Sequence, residues 1–154
     1  TPKFVEELNN KFPKNIIGVK DSSYNLYENL KIKDFLIFPG SEAKLLKGLQ
    51  LGCSGTISAV TQVTSSIARK VFDSYEKKEE QTLNDKLILV RKVFDKYNLI
   101  SALHSYFMNE NKNFQNLLPP LENLNLEDQK KLIGDLSKVK FEKDKNIAAW
   151  YDFS

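Results

Sequence analysis

The fold is decided by residues 16–20, which read Ile-Ile-Gly-Val-Lys. Four apolar or glycine positions in succession, without polar alternation, predict a short strand buried on both faces, as strands of parallel sheets are. Pro13 ends a helix just before this run, and Ser22 and Ser23 come just after it. The two serines are therefore expected to cap a short helix over residues 26–30.

The same strand-then-helix pattern occurs twice more in the first half of the chain. Residues 35–38 read Phe-Leu-Ile-Phe and predict a second buried strand, followed by a helix that Ser41 caps and Gly52 stops. Residues 55–60 predict a third strand, and a helix follows from about Thr64. Strands that begin about twenty residues apart, with helices between them, predict an α/β fold with a parallel sheet and helical crossovers.

Helices alone are predicted for the second half of the chain. From about residue 81 the apolar residues recur at the spacing of a helix face, residues 99–108 predict a further apolar helix, and the prolines within 117–121 interrupt the pattern. Asn125 is expected to cap a last amphipathic helix. The residues assigned to the apolar faces of the first and last of these helices are Leu83, Leu87, Val90, Val93, Phe94 and Tyr97, and Leu132, Ile133, Leu136 and Val139.

Three parallel strands make an unfinished sheet. Such a sheet has two unpaired edges and two faces to cover, and short parallel sheets rarely stand alone. The predicted helices are too few to cover both faces and shield both edges. We therefore expect the rest of the sheet to lie outside this chain, or the chain to be one part of something larger.

Composition and charge argue against several classes of protein. Of the 154 residues, 41% are apolar and 28% are charged, which is typical of a soluble globular domain rather than a disordered chain. No apolar stretch approaches the roughly 18 residues that cross a bilayer, so no membrane partner is expected. The net charge is only +3 and the lysines are interleaved with acids, so we expect no nucleic-acid partner. The single cysteine, Cys53, excludes an internal disulfide and favours a cytoplasmic protein.

Four short motifs lie at the ends of the predicted elements. Residues 17–23 read IGVKDSS, residues 38–42 read FPGSE, residues 52–59 read GCSGTISA, and LPPL at 118–121 precedes LED at 126–128. In this order and spacing the motifs resemble the ends of strands six, seven and eight and the last helix of the dihydrodipicolinate synthase / N-acetylneuraminate lyase family. Members of that family are (β/α)8-barrel, pyruvate-handling class I aldolases and lyases.

The resemblance implies that the chain is the C-terminal part of a (β/α)8 TIM barrel. It divides the chain into the last three βα units with the helix before strand six (residues 1–76), a C-terminal helical region (77–140) and a tail (141–154) that is loose or docks on a partner. Five strands are then expected upstream of Thr1, together with the family's catalytic tyrosine and its carboxylate-binding threonines. The chain alone is accordingly predicted to be inactive.

Lys20 ends the first predicted strand. A lysine at a strand end is usually just solvated, so its position alone does not make it catalytic. The resemblance implies that Lys20 is the imine-forming lysine of the family. A class I aldolase needs such an amine, because its attack on a ketone gives an imine whose protonated form makes the adjacent methyl group acidic. The amine must be neutral part of the time, and a barrel mouth supplies the partial desolvation that favours this state.

Five further residues are candidates for substrate binding by the same resemblance. Gly40 and Ser41 would shape the pocket, Glu42 would contact the second substrate, and the backbone of Ile57 and Ser58 would line the pyruvate site. Each has an alternative interpretation. The first two residues also fit a strand-to-helix turn with a capping serine, the acid fits the first turn of a helix, and the last two fit plain strand packing.

Neither a metal nor a cofactor is expected. One histidine and one cysteine without clustered acids are a poor set of metal ligands. His104 is predicted to be structural or to lie at the surface, and Cys53 is predicted to pack as a small hydrophobic residue.

The sequence predicts one activity and leaves two alternatives open. The resemblance implies a keto acid such as pyruvate and an aldehyde as partners, and a homo-oligomer, commonly a homotetramer. A dihydrodipicolinate synthase-like lyase activity is predicted. However, Asp21-Ser22 after the lysine and the run Gly40-Ser41-Glu42 are more similar to 2-keto-3-deoxy-sugar-acid aldolases, which is the first alternative. The second alternative is a non-catalytic barrel fragment that serves assembly.

Overall fold

Strands and helices alternate in the first half of the chain, and helices follow in the second. The computed structural model describes residues 1–141, so the predicted tail lies outside the described residues except for Phe141. The elements in order are α1 (Pro2–Lys11), β1 (Gly18–Asp21), α2 (Leu26–Asn29), β2 (Leu36–Pro39), a 3-10 turn (Glu42–Lys44), α3 (Leu45–Gln50), α4 (Thr61–Glu76), α5 (Asn84–Phe94), α6 (Leu99–Met108), a second 3-10 turn (Lys112–Gln115) and α7 (Leu126–Lys138).

β1 and β2 pair in parallel, which confirms the predicted orientation of the first two strands. Val19 lies opposite Ile37, and Lys20 lies opposite Phe38. Val19 and Ile37 belong to a cluster that packs against α1 and α2. Because side chains alternate along a strand, Lys20 and Phe38 lie on the other face of the sheet, where Leu36 is 41% exposed. We call this second face the open face.

The predicted third strand over residues 55–60 is wrong. Residues 53–58 run beside β2, but only the N–H groups of Ser54 and Ile57 donate to its carbonyls, at 3.0 and 3.1 Å. A regular parallel ladder bonds at every second residue, whereas these two donors are three residues apart. Gly55 lies between them at φ +149°, a conformation that side chains disfavour, and this irregularity breaks the ladder.

The predicted caps at Ser22 and Ser23 are wrong as well. The first N–H groups of α2, those of Leu26 and Tyr27, donate to the carboxylate of Asp21 at 2.8 and 3.2 Å. A negative charge satisfies the N-terminus of a helix better than a hydroxyl does, because it also interacts favourably with the helix dipole.

Most other helix boundaries agree with the predictions. Asn125 caps α7 by accepting the N–H of Asp128 at 2.8 Å, and α6 has the predicted bounds. α4 begins at Thr61, three residues before the predicted start. Val60, the predicted end of the third strand, is instead the residue that precedes the first turn of this helix.

The largest core joins α4 to the three helices that follow. It buries apolar residues from α4, α5, α6 and α7, as their periodicity predicts, although Ile133 is 39% exposed and does not belong to the buried side. Its buried members are Val60, Val63, Val90, Val93, Phe94, Ala102, Leu103, Phe107, Leu132, Leu136 and Phe141. Within residues 1–141 we find no helix whose length and apolar character would allow it to cross a membrane.

Candidate functional site

Lys20 lies at the carboxyl end of β1 on the open face. Its side chain is exposed, and its Nζ donates a hydrogen bond to the Oγ of Ser22 at 3.0 Å. The carboxyl ends of parallel strands are where (β/α)8 barrels carry their chemistry. Lys20 therefore stands where a reactive amine is expected in this architecture.

Gly40 lies directly beside the hydroxyl that Lys20 contacts. The N–H of Gly40 donates to the carbonyl of Asp21 at 2.8 Å, which joins the ends of the two strands. A Cβ at this position would stand 2.6 Å from the Oγ and 3.0 Å from the Cα of Ser22, so a larger residue would displace the serine. The structure thus brings Lys20, Ser22 and Gly40 together, and we call these three residues the lysine group.

The carboxylate of Asp21 holds the loop that follows Lys20. It is 1% exposed and accepts five hydrogen bonds: four from backbone N–H groups between residues 23 and 27, and one from the Ser23 hydroxyl at 2.7 Å. Burial raises the pKa of this carboxyl, but the hydrogen bonds outweigh burial and leave the pKa below its ordinary value of 3.8. The sequence motif contains Asp21, but nothing in its pattern indicates this role.

Ser41 and Glu42 follow β2 and are both buried. Ser41 is 5% exposed, and its side chain caps the 3-10 turn by accepting the N–H of Ala43 at 3.3 Å. Glu42 is 0% exposed, and its Oε2 accepts a hydrogen bond from the Oγ of Ser58 at 2.5 Å. The structure therefore brings two predicted site residues, Glu42 and Ser58, into contact.

Arg91 completes this contact from α5. Its Nη1 donates both to the Oε2 of Glu42 and to the Oγ of Ser58, at 3.1 Å each, and its Nε donates to Asp95 at 2.7 Å. Burial lowers the pKa of the Arg91 guanidinium, but the hydrogen bond to Asp95 and the charge of Glu42 reverse this and place the pKa above its ordinary value. We call Glu42, Ser58, Arg91 and Asp95 the arginine group.

Sequence reasoning missed Arg91. The sequence did contain a signal, because Arg91 stands in the periodic apolar run of α5, next to Val90. In the structure Arg91 is only 9% exposed. An arginine that is buried among apolar residues requires a carboxylate partner. Which carboxylate it meets depends on the tertiary fold.

Ile57 and its neighbour Thr56 are tied to the end of β2. The Thr56 hydroxyl donates to the carbonyl of Pro39 at 2.7 Å, and the N–H of Ile57 donates to the same carbonyl at 3.1 Å. The side chain of Ile57 is 48% exposed. This part of the chain therefore lies at the same end of the sheet as the lysine group.

His104 and Cys53 have structural roles. The Nδ1 of His104 donates to the carbonyl of Phe114 at 2.9 Å. Cys53 is 7% exposed in the cluster beneath the sheet, as predicted, and burial raises the pKa of its thiol. Among residues 1–141, no set of three or more His, Cys, Asp or Glu side chains is arranged to hold a metal ion.

The described structure is of the mixed α/β class, with two parallel strands and Lys20 at the carboxyl end of the first. Residues 1–139 match the dihydrodipicolinate synthetase family, and the chain belongs to that family.

The relatives include enzymes and a protein with a bound keto acid. The 2-dehydro-3-deoxy-D-gluconate/2-dehydro-3-deoxy-phosphogluconate aldolase of Picrophilus torridus is 30% identical over an alignment of 135 residues, and the match covers 82% of this chain and 50% of that protein. The 4-hydroxy-tetrahydrodipicolinate synthase of Methylacidiphilum fumariolicum SolV superposes with a TM-score of 0.78 at 21% identity, over 91% of this chain and 49% of that one.

A prophage protein of the dihydrodipicolinic acid synthase family from E. coli K12, solved in complex with pyruvate, superposes with a TM-score of 0.71 at 21% identity. That match covers 91% of this chain and 51% of the prophage protein. The chain thus spans about half the length of the relatives it matches, and the structural likeness supports a partial TIM barrel.

Proposed function

We propose that this protein is a Schiff-base-forming lyase or aldolase that acts on pyruvate or another 2-keto acid, with Lys20 as its nucleophile. The observation that carries the proposal is the place of Lys20, on the open face at the carboxyl end of β1, in a chain of this family. β1 and β2 would be strands six and seven of the barrel, and residues 53–58, which run beside β2 without a regular ladder, would take the place of strand eight. Residues 1–76 would be its last three βα units, and residues 77–140 its helical extension.

The proposed reaction begins at the Lys20 amine. The neutral amine attacks the ketone carbon of the keto acid to give a carbinolamine, which loses water to form an imine. The protonated imine withdraws electrons, so the adjacent carbon can lose a proton and then attack the carbonyl carbon of an aldehyde. Hydrolysis of the product imine restores the amine. The Oγ of Ser22, 3.0 Å from Nζ, orients the amine by accepting its hydrogen bond.

Most of the remaining predicted site residues would contact the substrates through their backbone rather than through their side chains. The backbone of Gly40, Ile57 and Ser58 would line the keto-acid site. The closeness of Gly40 to Ser22 and the ties of Ile57 to the end of β2 support this role. Ser41 and Glu42 would shape the side toward the second substrate, although the carboxylate of Glu42 is engaged by Ser58 and Arg91.

The second substrate has two candidates. The match to the dihydrodipicolinate synthetase family favours the aldehyde that such a synthase condenses with pyruvate. The 30% identity to the Picrophilus aldolase, together with Asp21 after the lysine and Ser41 after Gly40, favours the aldehyde released from a 2-keto-3-deoxy sugar acid. Assembly into a homo-oligomer is proposed for either case.

Borohydride trapping tests the proposal. The protein, as its gene encodes it, is incubated with pyruvate and reduced, and we expect the peptide that contains Lys20 to gain the mass of a reduced pyruvyl group. Lys20→Ala should abolish the adduct, while Lys33→Ala, which changes another exposed lysine, should leave it unchanged. A folded protein that forms no adduct at Lys20 would refute the lyase and favour a non-catalytic barrel part. Residues 1–154 alone are expected to show no aldol cleavage.

A further inference from the structure

The arginine group connects the helical region to the carboxyl end of the sheet. Arg91 comes from α5, whereas Glu42 follows β2 and Ser58 ends the segment that is tied to β2. One nitrogen, Nη1, reaches both of the latter residues at 3.1 Å. A single side chain from outside the sheet therefore bridges the residue that follows β2 and the end of the segment beside it.

The contacts are rigid because they are buried and shared. The side chain of Arg91 is 10% exposed and that of Glu42 is 0% exposed, so water competes little for their hydrogen bonds. Ser58 bonds both of them, and the guanidinium has a planar fork with little freedom once two of its nitrogens are engaged. Asp95 engages the Nε and so holds the orientation of that fork.

We propose that Arg91 is a positioning residue for the keto-acid site. This inference rests on the proposed function, in which the backbone of Ile57 and Ser58 lines that site. By holding the Ser58 hydroxyl against Glu42, Arg91 adds to the bonds of Thr56 and Ile57 to Pro39 and so helps to set the place of residues 57–58 relative to the end of β2. Its hydrogen bonds go to Glu42, Ser58 and Asp95 and not to the lysine group, so it affects how well the keto acid binds and leaves the chemistry of the Lys20 amine unchanged.

The test measures how the trapped adduct on Lys20 depends on pyruvate concentration. The half-saturating concentration reports binding, and the plateau reports the competence of the amine. In Arg91→Met we expect the half-saturating concentration to rise about tenfold, because small displacements of groups that orient a substrate have large effects. The plateau should stay within about twofold. Arg69→Met is the matched control, since Arg69 makes an exposed pair with Asp73 on α4, and it should change neither value.

A double variant separates positioning from charge compensation. Arg91→Met alone leaves the buried carboxylate of Glu42 without a counter-charge, so the variant is expected to unfold more easily. In Glu42→Gln/Arg91→Met both charges are gone, and we expect the urea midpoint to recover while the half-saturating concentration stays raised at least about threefold. If both values recover, Arg91 serves only to neutralise Glu42 and the inference is overturned.

The two proposals fail in different ways. No adduct in the native protein refutes the lyase and the inference together. A normal adduct in the native protein, with an unchanged half-saturating concentration in folded Arg91→Met, refutes the inference and leaves the lyase standing.

Discussion

Replacement of Asp21 by alanine removes the acceptor that holds the loop after Lys20. The side chain is 1% exposed and accepts four backbone N–H groups and one hydroxyl. The bonds from Leu26 and Tyr27 are buried, so water cannot replace them without rearrangement, whereas those from Ser23 and Tyr24 are only partly buried. A buried donor left unpaired costs about 1–3 kcal/mol, so two such donors give a loss of about 2–6 kcal/mol.

Urea unfolding followed by circular dichroism measures this loss. Asp21→Asn keeps one acceptor oxygen and should cost about half as much, roughly 1–3 kcal/mol. Ser23→Ala removes only the hydroxyl bond and serves as the matched control, with an expected loss of about 0.5–1.5 kcal/mol. If Asp21→Ala lies within about 0.5 kcal/mol of the native protein, the usual range of a neutral surface change, the capping role of this carboxylate is refuted.

The dependence of folding stability on acidic pH gives an independent test of the role of Asp21. The pKa of Asp21 in the folded protein lies below the ordinary value of 3.8, because its hydrogen bonds outweigh the effect of burial. Its contribution to stability is therefore fully present above that value and is lost as the pH falls through the lowered pKa. The difference in stability between the native protein and Asp21→Asn should shrink over this acid range, and a constant difference would contradict the assignment.

Three further predictions concern the lysine group, a surface ion pair and the core. Gly40→Val should displace Ser22, because a Cβ would stand 2.6 Å from its Oγ, and borohydride trapping should show several-fold less adduct in a folded variant. Two lysine hydrogen bonds lower the pKa of Asp135 from 3.8 to about 2, so Asp135→Asn should lower the urea midpoint at neutral pH, with the difference vanishing as the pH falls from about 4 to about 2. Phe94→Ala should cost about 3–5 kcal/mol in urea unfolding since Phe94 is 0% exposed, while exposed Leu89→Ala should cost under about 1 kcal/mol.

The parts of the fold that local sequence determines could be predicted. The parallel order of β1 and β2 follows from two apolar runs with a helix between them, and the start of α7 follows from Asn125 as its cap. The third strand could not be judged in the same way. Its composition suits a strand, but a ladder depends on the spacing of hydrogen bonds between segments, and the turn of the chain at Gly55 is visible only once β2 is beside it.

The candidate site likewise contains residues that local sequence could place and residues that it could not. Lys20 and Gly40 could be placed together because both end parallel strands, and such ends meet at one edge of a sheet. Arg91 could not be placed, since it is 49 residues from Glu42 in sequence and their contact depends on how α5 packs. The burial of Glu42 went unpredicted for the same reason: an acid in the first turn of a helix is normally solvated, and only its distant partner explains why this one is not.

Most of the buried apolar residues lie among the helices and fewer lie at the sheet, and this affects which substitutions the chain can accept during evolution. The largest cluster joins α4 to α7, while the sheet rests on a smaller one. Local opening usually spares the best-packed unit, so amide protons of α5 and α6 should be the last to exchange with deuterium, after those of β1. Exposed positions around Lys20 can then change without unfolding the scaffold, which leaves selection free to alter the chemistry at that end of the sheet while the helices preserve the architecture.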